Sequence, residues 1–463
     1  MTHPVPGKAC AAPMMVFFRW FAARLNHPVR LIPASFLAGT LVGTALLMLP
    51  LSSMDGTGAP LLVALFTATS AICVTGLIVV DTPTYWSGFG QGVIMVLFQI
   101  GGFGIMTGAT LLSLLVTRRL ALAQRLIAHA ETRGMALGDV TSVLRFVVVV
   151  TLVVELAVAT LLALRFHADY GQPWDLAVWN GLFHSISAFN NAGFSTYSDS
   201  LMGFAADPMI LAPLMAAVVI GGIGFPVLFE FRKRLWRVSQ WSIHTRLTVF
   251  GTIGLLLFGT GLTAAYEWFR PETLAVFDPP TRLLNALTHS VMSRTAGFNA
   301  IDIGALAPET LLITDALMLI GGGSAGTAGG IKITTFLLLG YVVWAEVKGR
   351  QDVEVFNRRI DPPTQRQALT VALLSILAVG LGSLTLLSVT DLPLDRVLFE
   401  AISAFATVGL STGITADLPP TGQLVLVALM FLGRVGTITI ASALAMSDRH
   451  TAYRLPQERP IVG

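Results

Sequence analysis

The sequence is poor in charged residues. Asp, Glu, Lys and Arg make up 12% of the 463 residues, about half of the roughly 25% found in soluble domains. Hydrophobic residues make up 54% and the mean hydropathy is +0.74, so polar side chains are too few to cover a folded particle in water. This composition excludes a water-soluble enzyme and predicts an all-α protein that crosses a membrane several times.

Cysteine and catalytic motifs are also scarce. The two cysteines, Cys10 and Cys73, are too few for a disulfide framework or a zinc cluster. The sequence contains no P-loop, catalytic triad or metal-binding motif, so ATP hydrolysis by this chain is not expected. A membrane-embedded enzyme or an assembly scaffold would need a catalytic cluster or a large soluble extension, and the sequence displays neither.

The basic residues that are present fall in five segments. Of the 29 Lys and Arg residues, 22 lie in the ranges 1–30, 117–146, 231–246, 345–366 and 447–463. Basic residues beside membrane spans stay in the cytoplasm, so we expect a multi-pass plasma (inner) membrane protein whose terminal segments, 1–30 and 447–463, are both cytoplasmic. Because the clusters recur at every second loop, they form no continuous face for nucleic acid.

Eight apolar stretches are long enough to cross a bilayer, which needs about 20 helical residues. They are approximately 31–50, 91–116, 146–164, 209–230, 247–266, 311–345, 368–388 and 423–446. A shorter apolar segment lies inside each successive pair: Leu61–Leu77, Leu176–Phe194, Leu283–Phe298 and Val397–Leu410. These four segments are too short to cross and too hydrophobic for ordinary loops, so they are predicted to be re-entrant.

The four short segments align on one glycine each and reveal an internal repeat. The aligned glycines, Gly76, Gly193, Gly297 and Gly409, are followed by a glycine cluster after 25, 28, 24 and 24 residues. Each unit crosses the membrane twice, so all four share one orientation, unlike the inverted repeats of many secondary transporters. The sequence therefore predicts four repeats of helix, pore half-helix with loop, and helix (M1-P-M2) around a pseudo-fourfold pore. They cover 31–116, 117–230, 231–345 and 346–446.

Four such loops favour a cation inside the membrane. A half-helix that ends at a glycine directs its carbonyl dipole, equivalent to about half a negative charge, into the membrane. The chain then returns through non-helical backbone, which is tolerated at this depth only when it is buried in protein or lines a water-filled cavity. A ring of its carbonyl oxygens can replace the hydration shell of a potassium ion. The alternative is that the glycines only permit close helix packing, but their recurrence in four matched frames favours the pore.

These degenerate pore loops, with one glycine each, resemble those of the superfamily of Trk, Ktr and HKT potassium transporters. With eight spans over about 31–446, the chain is most similar to the KtrB-type membrane subunits. The resemblance implies that the four aligned glycines are the potassium-selective positions, and that Gly76, where a serine favours sodium, indicates potassium. It also implies further carbonyl donors in the two positions before each glycine: Val74, Thr75, Asn191, Ala192, Thr295, Ala296, Thr407 and Val408.

A glycine-rich stretch interrupts the third repeat. Residues 321–330 read GGGSAGTAGG and include six glycines, each costing a helix about 1 kcal/mol relative to alanine. The span is therefore predicted to break into a flexible intramembrane loop below the filter that obstructs conduction, with a kinked, tightly packed helix as the alternative. The superfamily has a matching loop, so the resemblance implies a gate made of Gly321, Gly322, Gly323, Ser324, Ala325, Gly326, Thr327, Ala328, Gly329, Gly330 and Lys332.

Arg434 interrupts the glycine cluster of the fourth repeat. A charge at the centre of a spanning helix costs about 2.5–3.5 kcal/mol on insertion scales, so Arg434 is expected to face the pore or a partner. It is either a structural anchor that donates to carbonyls or a positive barrier on the cation path, as the resemblance implies for the gate. Arg294 is expected to brace the third pore loop, whereas the spans that contain Glu155 and Asp315 show no specific partner for either carboxylate.

The main hypothesis is potassium uptake through a gated, channel-like pore, driven by a membrane potential worth about 2.3 kcal/mol per 100 mV for each charge. The alternative is a secondary transporter coupled to sodium or protons, against which the like-oriented repeats weigh. The resemblance implies a homodimer in the lipid bilayer on a cytosolic ring of KtrA-type regulatory subunits. It places any nucleotide (ATP, ADP or NAD) on that ring, implies no covalent cofactor on this chain, and leaves sodium as a candidate activator.

Overall fold

The computed structural model describes residues 28–104 and 137–436. Within these residues the chain is helical except for connecting loops and one small antiparallel hairpin, in which Glu354–Val355 (β1) pairs with Arg358–Arg359 (β2). The predicted all-α fold class is confirmed. The expected cytoplasmic segments 1–30 and 447–463 lie largely or wholly outside the described residues.

The first repeat contains α1 (Pro28–Leu47), α2 (Leu61–Ile72) and α3 (Gly88–Gly104). A single helical turn, Thr82–Tyr85, lies between α2 and α3. The predicted span 31–50 corresponds to α1. The predicted span 91–116 corresponds to α3 as far as residue 104 and lies outside the described residues beyond it.

The second repeat contains a broken helix. Its elements are α4 (Leu137–Ala168), α5 (Trp174–Asn190), α6 (Pro208–Ile223) and α7 (Phe225–Arg234). The predicted span 209–230 is not one straight helix, because α6 and α7 are bent by 99° at the break between them. Gly224, at the break, has φ +95°, which favours glycine, and Pro226 fits at the start of the next helix because it needs no N–H partner there.

The third and fourth repeats follow the same plan. Their elements are α8 (Ile243–Glu267), α9 (Pro279–Met292), α10 (Pro308–Leu319), α11 (Ile333–Val347), α12 (Pro362–Val389), α13 (Leu394–Phe405) and α14 (Pro420–Phe431), the last continuing as a π-helical turn, Leu432–Gly436. The predicted span 311–345 is interrupted between Leu319 and Ile333. The predicted span 423–446 is described only as far as residue 436.

In each repeat the helix that follows the first one is a pore half-helix, as its length shows. These helices are α2, α5, α9 and α13. They contain 12, 17, 14 and 12 residues, or about 18–26 Å at 1.5 Å per residue, less than the roughly 30 Å of a bilayer core. Three helices in the described residues are long and apolar enough to cross on their own: Arg145–Ala168, Ile243–Glu267 and Pro362–Val389. The chain therefore has the predicted M1-P-M2 repeat fold of a multi-pass membrane protein.

In the first, second and fourth repeats the glycine cluster lets the helix that carries it approach the end of the pore helix of the same repeat. A Cβ on Gly101 would lie 2.0 Å from Ile72 O, and the same relation joins Gly433 to Phe405 O at 1.6 Å. In the second repeat Gly221 faces the last turn of α5 in the same way. No side chain fits at such distances, so these glycines fix the depth of the pore helices.

Candidate functional site

The four pore helices are followed by loops of one backbone shape, here called the ring loops. Two residues before each aligned glycine stands a non-glycine residue with positive φ: Val74 (57°), Asn191 (59°), Thr295 (85°) and Thr407 (50°). The glycines also have positive φ: Gly76 (91°), Gly193 (71°), Gly297 (74°) and Gly409 (95°). A β-branched residue with positive φ is rare, and such strained positions cluster at functional sites.

A serine in the pore helix holds three of the ring loops. Ser70 Oγ accepts from Gly76 N at 3.1 Å and donates to Leu77 O at 2.7 Å. Equivalent contacts join Ser187 Oγ to Phe194 O (2.8 Å) and Gly409 N to Ser403 Oγ (3.1 Å).

The third repeat has no such hydroxyl, because Val291 occupies the serine position. Its loop is closed by backbone contacts, with Ala296 N and Gly297 N donating to Met292 O at 3.0 and 3.1 Å. Arg294 in this loop donates to Gly321 O at 2.8 Å, the carbonyl contact expected from the sequence.

The ring loops meet side by side. A Cβ on Gly76 would lie 2.4 Å from Ala192 O and 3.1 Å from Gly193 Cα. The same 3.1 Å relation joins the other neighbours, in the order Gly193 to Gly297, Gly297 to Gly409 and Gly409 back to Gly76. Because side chains do not fit at these distances, only glycine allows this contact. The four loops therefore form a closed ring around one axis.

A cavity of about 370 Å³ opens on one side of the ring and is lined by all four glycines. We call this cavity the vestibule. Polar residues from the surrounding loops also line it, among them Asp81, Ser198 and Asn299. Asp81 Oδ2 accepts from Ser198 Oγ at 2.7 Å, so a carboxylate is fixed at the rim between the first and second repeats.

Residues 321–330, here called the crossing loop, lie against the other side of the ring. The Thr327 hydroxyl lies 3.1 Å from the side-chain amide of Asn191. A Cβ on Gly329 would lie 2.1 Å from Thr407 Oγ1. Asn191 and Thr407 belong to the second and fourth repeats, which lie opposite each other in the ring. The loop therefore passes from one side of the axis to the other, at the deeper residues of the ring loops.

The crossing loop is held by hydrogen bonds to the broken helix of the second repeat. Gly323 N donates to Gly222 O at 2.8 Å, and Thr327 N donates to Gly221 O at 3.1 Å. The loop is buried over most of its length, and two of its N–H groups are satisfied by carbonyls of α6. This pairing was not predicted, although the Gly-Gly-Ile-Gly-Phe-Pro run at 221–226 could have indicated a break in the helix.

Basic side chains bind the carbonyls of the crossing loop. Arg434 Nη1 donates to Thr327 O at 2.5 Å, and Lys332 Nζ donates to Ala328 O at 2.5 Å. Arg434 is 2% exposed, and its Nε and Nη2 have no hydrogen-bond partner among the described residues. The arginine thus anchors a carbonyl and also places an unneutralised positive charge beside the loop, so its two possible roles are compatible.

Two buried carboxylates support the site. Glu155 in α4 accepts from Gln99 Nε2 at 3.2 Å and from Asn190 Nδ2 at 3.3 Å. These hydrogen-bond partners were not predicted from the sequence. Asn190 is the last residue of α5, directly before a ring loop. Glu400 in α13 accepts from Thr412 N at 3.1 Å and fixes the segment after the fourth ring loop. Asp315 has a buried Oδ1 without a partner in the described part of the chain.

Four M1-P-M2 repeats around a closed ring of backbone define a polytopic membrane transport protein, not an enzyme. Comparison with known proteins gives the same class and identifies a family within it. The chain belongs to the TrkH family of cation transport proteins, whose model matches residues 20–453. Its relatives confirm the predicted resemblance to KtrB-type subunits.

Two of these relatives are named Ktr system potassium uptake protein B. The one from Bacillus subtilis is 37% identical over 424 residues, covering 91% of this chain and 94% of its own. The one from Vibrio alginolyticus is 36% identical over 436 residues, covering 94% of both chains. The potassium/sodium uptake protein NtpJ of Enterococcus hirae is 34% identical, covering 94% of this chain and 97% of its own.

A solved structure shows the same fold. The potassium transporter TrkH from Vibrio parahaemolyticus matches with a TM-score of 0.67 over 88% of this chain and 84% of that one. The identity is 19%, so this likeness supports the fold alone.

Proposed function

We propose that the protein takes up potassium through a gated, channel-like pore whose selectivity filter is the ring of four loops. The observation that carries this proposal is the closed ring: four glycines from four repeats meet around one axis and line the vestibule. The names of the relatives, which are potassium uptake proteins, support the choice of ion. The protein would be a passive conductor in which the membrane potential drives the cation inward.

The ring loops supply the chemistry that a dehydrated cation needs. The carbonyls of the glycines and of the two residues before them would replace water around potassium. Thr75 Oγ1 and Thr407 Oγ1 are buried without a hydrogen-bond partner among the described residues, so each hydroxyl oxygen is available as a further ligand. The C-terminal ends of α2, α5, α9 and α13 add partial negative charge at the same place.

The crossing loop would act as the gate. It lies across the axis on the side away from the vestibule, and two cationic side chains, Arg434 and Lys332, hold its carbonyls. An ion leaving the filter would meet both a steric and an electrostatic barrier. Opening then requires the loop to move aside, which six glycines in ten residues make conformationally accessible.

The orientation and assembly follow the same proposal. The vestibule would face outwards and both termini inwards, in the plasma membrane, with the protein as a homodimer. A cytosolic ring of KtrA-type subunits carrying the nucleotide would move the gate; the Ktr system names of the relatives support a multi-component assembly.

Rubidium flux into liposomes tests the function directly. The purified protein is reconstituted without a sodium or pH gradient, and an inside-negative diffusion potential is imposed. Uptake that follows the potential and exceeds that of empty vesicles supports a passive pore. Uptake that appears only with an opposing or parallel sodium or proton gradient would instead establish a coupled transporter and refute the proposal.

A further inference from the structure

The connection between the second and third repeats, Phe225–Arg246, is basic and exposed. Every residue from 232 to 240 is exposed. Its cationic residues are Arg232, Lys233, Arg234, Arg237 and Arg246. Among the described residues none of these forms an ion pair. The carboxylate of Glu230 instead accepts from Ser242 and Thr245. With five cationic residues and one carboxylate, the segment carries a net positive charge, which fits a partner with dense negative charge.

Helix α7 lies at the membrane face opposite the vestibule. It is bent by 99° from α6, so if α6 crosses the bilayer, α7 runs nearly parallel to its surface. It also packs on the ends of spanning helices that are far from the vestibule. The Phe229 ring lies 5.7 Å from that of Phe146 near the start of α4, and Glu230 accepts from Ser242 at the start of α8.

An exposed tryptophan within the basic segment favours a lipid surface over an acidic protein. Trp236 is 91% exposed, beside Leu235 (45%) and Val238 (44%). The neighbouring Trp241 is packed, with its ring 5.2 Å from that of Phe231 and its Nε1 donating to Arg234 O. Trp236 lies in the turn directly after α7, next to its basic last turn, and tryptophan beside Lys and Arg is typical of segments that lie at the headgroup level.

The same segment is in direct contact with the crossing loop. Phe225 N, the first residue of α7, donates to Ala325 O at 3.3 Å. A Cβ on Gly224 would lie 2.3 Å from Ser324 O. A tilt of α7 about Gly224 would therefore strain the hydrogen bond that ties α7 to the backbone of the crossing loop.

We propose that Phe225–Arg246 binds the phosphate headgroups of anionic phospholipids, and that bound lipid sets the position of the crossing loop through the hinge at Gly224. The second half rests on the proposed function of that loop as a gate. Each Lys or Arg near an anionic surface contributes about fivefold to the affinity, so removing two is expected to weaken binding by about tenfold or more.

Binding is measured without transport. The full-length protein is placed in phosphatidylcholine vesicles that contain increasing fractions of brominated phosphatidylglycerol, which quenches nearby tryptophan. Quenching beyond that of brominated phosphatidylcholine is expected, and Trp236→Phe should remove most of this excess. Trp174→Phe, which removes another exposed tryptophan, at the vestibule end of the fold, should leave it unchanged.

Charge variants make the matched comparison. Lys233→Gln with Arg237→Gln should shift the quenching curve to higher phosphatidylglycerol fractions, whereas Arg358→Gln with Arg359→Gln, on the hairpin close to the same face, should shift it little. Equal shifts of the quenching curves of the two double variants would mean that the effect comes from general surface charge. This result would overturn the site. If excess quenching is absent and the charge variants only weaken attachment of a regulatory protein, the surface is a protein interface. This result would also overturn the lipid site.

Rubidium flux in the same vesicles tests the coupling. We expect the flux of the parent protein to change severalfold with phosphatidylglycerol fraction, and the Lys233→Gln, Arg237→Gln variant to lose this dependence. Intact lipid binding with a flux independent of phosphatidylglycerol would refute the coupling. Absence of flux in every vesicle would count against the proposed uptake function, while the quenching result would still decide the lipid site.

Discussion

Arg434 Nη1 donates a hydrogen bond of 2.5 Å to the backbone oxygen of Thr327. The contact joins the fourth repeat to the midpoint of the crossing loop, and the Thr327 hydroxyl in turn contacts Asn191 in the second repeat. One residue of the loop is therefore fixed from two opposite repeats. In the proposed gate, breaking the charged Arg434 contact would remove one of the several contacts that hold the crossing loop.

Replacing Arg434 by Ala should raise the rubidium flux of the reconstituted protein. The substitution removes the positive charge and leaves Thr327 O without its donor, at a cost of about 1–3 kcal/mol to the held position of the loop. Initial uptake rates are compared at equal protein, after size-exclusion chromatography has shown the same assembly. Arg434→Lys, which keeps the charge, should change the rate less. Unaltered transport kinetics in a properly folded Arg434→Ala protein would contradict the gate.

Replacing Gly76 by Ser should reduce potassium selectivity. A Cβ there would lie 2.4 Å from Ala192 O, so the adjacent ring loop must shift, and the backbone keeps a φ that costs a non-glycine residue about 1–2 kcal/mol. The measurement is the ratio of rubidium to sodium flux. Gly171→Ser is the control, because Gly171 also has positive φ but nothing lies within 4 Å of its Cβ position. If both variants keep the parent ratio, the filter assignment fails.

Ser403→Ala should loosen the fourth ring loop specifically. It removes the hydroxyl oxygen that accepts from Gly409 N, and leaving this partly buried N–H unsatisfied costs about 1–3 kcal/mol. We expect a lower rubidium-to-sodium ratio with little change in the thermal unfolding midpoint. Val291→Ser provides the reverse comparison, since it places a hydroxyl at the equivalent position of the repeat that has none. A selectivity ratio unaffected by Ser403→Ala would show that backbone contacts alone hold the ring.

The repeat and the ring positions were predictable because they depend on local pattern. Four glycines in matched frames, each after an apolar stretch too short to cross, specify a half-helix and a return loop without knowledge of tertiary contacts. The serine six residues before Gly76, Gly193 and Gly409 was equally visible in the sequence. Its purpose, closing the loop through one hydroxyl, required the fold.

The break at Gly224 and the partners of Glu155 were not predictable in the same way. The stretch 209–230 is apolar enough to be read as one helix, and the φ of +95° at Gly224 makes sense only with the crossing loop against it. Gln99, Glu155 and Asn190 are separated by 56 and 35 residues along the chain. Their contact depends on how α3, α4 and α5 pack, which the hydropathy pattern does not specify.

Glu155 should stabilise the end of the second pore helix through hydrogen bonds rather than through charge. Among the described residues its side-chain contacts are the amides of Gln99 and Asn190 and no basic side chain, so Gln at this position keeps the size of the side chain and one of its two acceptor oxygens. Glu155→Leu removes the acceptor of Gln99 Nε2, at a cost of about 1–3 kcal/mol, whereas Asn190 Nδ2 keeps Gln99 Oε1 and Ile186 O as acceptors. We expect Glu155→Leu to lower the thermal midpoint and the rubidium-to-sodium ratio together, because Asn190 directly precedes a ring loop. Glu155→Gln should retain most of both, and a Gln variant as impaired as the Leu variant would show that the negative charge is what the pore requires.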